Sequence, residues 1–62
     1  MKYYEQASQL LSQSPLPDNC PEQMEKLIAK AKGAEKQMIR VSLESMYEAA
    51  TPEQFTKWSE EN

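Results

Sequence analysis

The stretch Pro21–Ala50, PEQMEKLIAKAKGAEKQMIRVSLESMYEAA, decides how this chain folds. Met24, Leu27, Ile28 and Ala31 stand at i, i+3, i+4 and i+7, the spacing of one helical face. Beyond Gly33, the only glycine, a second apolar set follows: Ile39, Leu43, Met46, Tyr47 and Ala50. At 3.6 residues per turn the second set centres roughly 100° further round than the first. A single straight helix would wind its apolar stripe across its own surface. A break at Gly33 lets each half face one core. Lys30 and Lys32 before the glycine suit the negative end of a helix, and Gly suits the left-handed residue that follows one. The stretch therefore predicts two helices, about 21–32 and 34–50, with one long helix kinked at Gly33 as the alternative, since Ala34, Glu35, Lys36 and Gln37 are all good helix formers.

Working outward, both flanks carry helix signals. Toward the N-terminus, Tyr3, Ala7 and Leu10 share a face over residues 2–13, with Tyr4 and Leu11 beside it. The polar positions there are mostly Gln and Ser. Isolated helices under about 12–15 residues are marginal in water, so this one needs docking to form. Ser14–Cys20 is a connection: Pro15 and Pro17 disfavour helix, Asp18 and Asn19 form turns, and Leu16 is placed to tuck back onto the core. Pro21 suits the first helical position, and Glu22 suits the first turn. Toward the C-terminus, Thr51 caps, Pro52 starts a helix, and Gln54 completes a Thr-x-x-Gln capping box. That helix spans about 52–60, with Phe55 and Trp58 on one side. Glu60 and Glu61 oppose the dipole at its end and predict fraying over Ser59–Asn62. No alternating run of β-branched residues suggests a strand.

The fold expected is all-α: one domain over 1–62, a bundle of three to four short helices. A chain of this length buries only about 60% of the surface its unfolded form exposes. One Cys and no His leave neither an intrachain disulfide nor a normal zinc-ligand set. Self-association is the remaining remedy, and a homodimer or a stable complex with a partner is expected. A lone thiol fits a reducing compartment. The longest apolar run is Leu27-Ile28-Ala29, so neither a signal peptide nor a membrane span is expected, and a cytoplasmic location is.

Catalytic equipment is not expected either. There is no His for a triad or a near-neutral base, and no glycine-rich loop to cradle phosphate. Cys20 lacks a His partner. Its place before a helix start would lower its pKa, but the plainer reading is a small, partly buried residue there. No cofactor or metal is expected.

Charge is segregated. Residues 1–25 carry Lys2 against Glu5, Asp18, Glu22 and Glu25, a net −3. Residues 26–40 carry Lys26, Lys30, Lys32, Lys36 and Arg40 against Glu35, a net +4. Residues 41–62 carry Lys57 against Glu44, Glu48, Glu53, Glu60 and Glu61, a net −4. Such a pattern can orient a partner. The leading functional expectation is a small regulator or inhibitor that binds an acidic protein surface through a helical face with an apolar centre and a basic rim. The contact residues expected are Lys30, Lys36, Met38, Arg40 and Trp58.

The second expectation is nucleic acid. Ala29, Gly33 and Ile39 resemble the helix-turn-helix pattern, a small residue four before a glycine and an aliphatic six after it. The resemblance covers about 20 residues. It implies that Ala29 lies at a close helix crossing and that Gly33 makes the turn. Lys36, Gln37 and Arg40 would then face a major groove, while Lys26, Lys30 and Lys32 reach phosphates. Lys32 and Ala34 depart from the pattern, which commonly has larger apolar residues there.

Overall fold

The computed structural model describes residues 1–60 and holds four helices: α1 (Lys2–Leu11), α2 (Cys20–Lys30), α3 (Gly33–Ala49) and α4 (Pro52–Glu60). No strand occurs among the described residues. The chain is all-helical. The first three helices pack on one another in all three pairings. Their shared core is Ala7 and Leu10 of α1, Cys20, Met24 and Leu27 of α2, and Ile39 and Met46 of α3, closed by Leu16, Ala31 and Trp58.

The break falls where the two apolar stripes demand it. α2 ends at Lys30, and Ala31 and Lys32 are extended. Gly33 has φ +59° and opens α3 rather than closing α2, one step later than a helix-end glycine would sit. That conformation costs an L residue about 1–2 kcal/mol and glycine almost nothing. The two stripes then meet one interior.

α1 is held at its first turn by α3. Met1 offers no side-chain cap, but the Glu35 carboxylate accepts from the backbone amides of Tyr3 (2.9 Å) and Tyr4 (3.0 Å). Two amides that a helix start leaves without partners are thus satisfied from another helix, with charge assistance. α1 stops at Leu11, short of the expected residue 13.

The 12–19 connection is pinned rather than loose. Leu16 is buried, and the Ser14–Pro15 peptide is cis. α4 supplies the pins. Gln54 Nε2 donates to the Leu16 carbonyl (2.6 Å) and to Asp18 Oδ1 (3.4 Å), and Trp58 Nε1 donates to the Asp18 carbonyl (3.0 Å). The Thr51–Gln54 capping box is complete in both directions. The Gln54 amide donates to Thr51 Oγ1 (3.0 Å), and the Thr51 amide donates to Gln54 Oε1 (3.1 Å). α4 remains helical through Ser59 and Glu60; the fraying expected at Glu61 and Asn62 lies outside the described residues.

Candidate functional site

A groove of about 430 Å³ runs between α2 and α3. Leu43, Met46 and Tyr47 line it from α3, and Pro21, Glu22, Glu25 and Lys26 from α2. The reason lies in the α3 sequence. Its buried residues Ile39 and Met46 point at α1 and α2, while Leu43 and Tyr47 lie further round and reach only half burial. Tyr47 continues the apolar surface toward α4. Its ring meets Phe55 edge-on at 5.8 Å and Trp58 edge-on at 6.2 Å. Trp58 is inside, but Phe55 is 49% exposed.

Lys26 is the one basic residue in the groove wall, and Lys36 and Arg40 lie beyond the lining, further along α3. Lys36, Arg40, Leu43 and Tyr47 stand at i, i+4, i+7 and i+11. About 100° per residue sets the four within roughly 60° of one another on α3. Lys26 stands across from Leu43 and Tyr47 on α2. The rim is not purely basic as expected, because Glu22 and Glu25 share the α2 wall.

The five contact residues expected from the sequence do not form one surface. Lys36 and Arg40 belong to the same row. Met38 is 39% exposed but lies about 160° round α3 from Arg40. Lys30 borders a different depression, between α1 and α2, with Gln6, Leu10, Asn19, Gln23, Lys26 and Leu27. Trp58 is 1% exposed and is a core residue, so its indole presents no outer surface. Leu43, Tyr47 and Phe55 take its place as the exposed or half-exposed apolar groups. Their signal was present in the 36–40–43–47 spacing, which reads equally well as ordinary core.

The helix-turn-helix geometry also departs from expectation. Ala29 is exposed rather than at a crossing, and Ala31 is the buried small residue. The first turn of α3, which would enter a major groove, is engaged by Glu35 with α1.

Cys20 is fully buried at the first residue of α2, and that burial pushes its thiol pKa up, opposite to the helix-start effect. The thiol is held protonated, the poor state for a nucleophile. Among the described residues no three His, Cys, Asp or Glu side chains gather as a metal site. Among the described residues no helix is long and apolar enough to cross a membrane. Comparison with known family models, curated proteins and solved structures finds no match for this chain.

Proposed function

We propose that this chain is a small intracellular regulator or inhibitor that works by non-covalent binding to a protein partner, as a homodimer. The observation that carries the reading is the α2–α3 groove. It leaves Leu43 and Tyr47 half-exposed beside an exposed Phe55, with Lys26 in its wall and Lys36 and Arg40 further along the same row of α3. Helix-in-groove recognition uses such a site: an amphipathic helix lays its apolar stripe on the floor. The partner helix carries carboxylates toward Lys36 and Arg40, and a basic residue toward Glu22 and Glu25. Charge sets its direction and the apolar floor sets its residence time.

Capture of partners from lysate on tagged chain, read by mass spectrometry, tests the reading. Wild type returns one or a few proteins, and Leu43→Glu loses them at least tenfold while its helical circular dichroism is unchanged. An empty capture, or one that Leu43→Glu leaves intact, overturns it. Binding to nucleic acid is the lesser reading, supported by the exposed Lys26, Lys30, Lys32 and Arg40. Counterion release makes such binding fall steeply with salt. No binding to random duplex near about 50 mM salt disposes of it.

A further inference from the structure

The α2 wall of the groove has a charge of its own. Glu22 and Glu25 stand at i and i+3, so their side chains are neighbours on the helix surface. Both are exposed and both line the groove, where Lys26 is the one cation. Two carboxylates against one ammonium leave the wall at a net −1. Glu22 and Lys26 have the i, i+4 spacing that suits a pair. Yet among the described residues neither carboxylate is held by an ion pair or a side-chain hydrogen bond. Glu22 also borders a second depression with Asp18 and Lys57, whose charges cancel and leave the balance unchanged.

Across from the carboxylates the surface is apolar. Leu43 and Tyr47 are half-buried and form the floor with Met46, and Pro21 extends it on α2. A side chain that fills such a groove matches both properties at once: methylenes for the floor and a cation for the wall. Arginine and lysine are built in this way.

Of the two, arginine suits the site better. Residues three apart on a helix have Cβ atoms about 5–6 Å from each other. A planar guanidinium carries five donors in a fixed fork and can offer an N–H to each of two carboxylates at that spacing. It also stacks on aromatic rings, and Tyr47 supplies one. Lysine is a compact point charge, more strongly hydrated, and loses more on leaving water.

We propose that the α2–α3 groove reads an arginine: the partner helix lays one arginine stem on Leu43 and Tyr47 and shares its guanidinium between Glu22 and Glu25. The inference rests on the groove reading above and names the side chain that the groove selects. Lys36 and Arg40, further along α3, repel a cation and so disfavour the reverse placement.

Titration of the isotope-labelled full chain, followed by nuclear magnetic resonance, tests it. The probes are three capped alanine–leucine helical peptides, identical but for one position beside the leucine stripe: arginine, lysine or the neutral isostere citrulline. On wild type the arginine probe shifts the signals of Glu22, Glu25, Leu43 and Tyr47. The citrulline probe binds about fivefold more weakly, the worth of a well-formed exposed ion pair, and the lysine probe falls between. The double variant E22Q/E25Q, with its helical circular dichroism unchanged, binds all three alike. Equal binding of arginine and citrulline to wild type overturns the proposal. So does an arginine preference that survives in E22Q/E25Q, or no shift at these residues at millimolar probe. Lysate capture against Leu43→Glu judges the groove reading separately: partners lost by that variant, with no arginine preference in the titration, sink the arginine and spare the groove.

Discussion

Gln54 shows how much one side chain can settle. It is buried, and its amide works in three directions: the oxygen closes the capping box, while the nitrogen reaches Leu16 and Asp18. Among the described residues no buried side-chain polar atom lacks a partner. Gln54→Ala removes these bonds and leaves the Leu16 carbonyl unmet, at a cost of about 1–3 kcal/mol. Gln54→Glu is expected to cost more. It keeps the box but sets a carboxylate oxygen against the Leu16 carbonyl and the Asp18 carboxylate. Thermal melts at neutral pH order the three as wild type, then Ala, then Glu; about 4–8 °C accompanies each kcal/mol in so small a domain. The capping role was legible, because Thr-x-x-Gln is a local pattern. The tie to Leu16, 38 residues away, was not: no local signal encodes a contact across the chain.

Elements form here for unequal reasons. α2 and α4 carry their own start signals, Pro21 and Thr51-Pro52, and their beginnings lie within a residue of the sequence expectation. The break near Gly33 was legible because two apolar stripes disagreed in direction. α1 has no start signal of its own and takes its cap from Glu35. Read locally, Glu35 is a helix former in a basic segment, and nothing near it hints at Tyr3 or Tyr4. Glu35→Ala is expected to destabilise the fold by about 1–2 kcal/mol, the ordinary worth of a lost cap. Hydrogen exchange at the Tyr3 and Tyr4 amides quickens before the α2 and α3 amides do. Glu35→Gln keeps an oxygen acceptor and costs less. Equal quickening in all helices would deny α1 its separate dependence on Glu35. The candidate site was half legible for the same reason. Lys36 and Arg40 were found by charge, whereas Leu43 and Tyr47 were assigned to the core, because periodicity cannot tell a half-buried edge from the interior.

On the scale of the whole fold, the described residues span 32 × 23 × 15 Å. A chain of this length encloses only a small core. So small a core leaves stability marginal, and the second copy proposed above would add to it by mass action. Raising the chain concentration to a hundred times the dissociation constant contributes about 2.7 kcal/mol. If the chain dimerises as proposed, the melting temperature is expected to rise with concentration; a flat curve speaks against dimerisation. One further property comes with the way α4 is seated. Trp58 is the chain's only tryptophan, and it stands edge-on to Tyr47 at 6.2 Å with its indole shielded. Light absorbed by the tyrosine is therefore handed to the tryptophan, which emits toward the blue. When α4 lifts, the transfer weakens and emission moves to the red, so the native chain carries its own optical gauge.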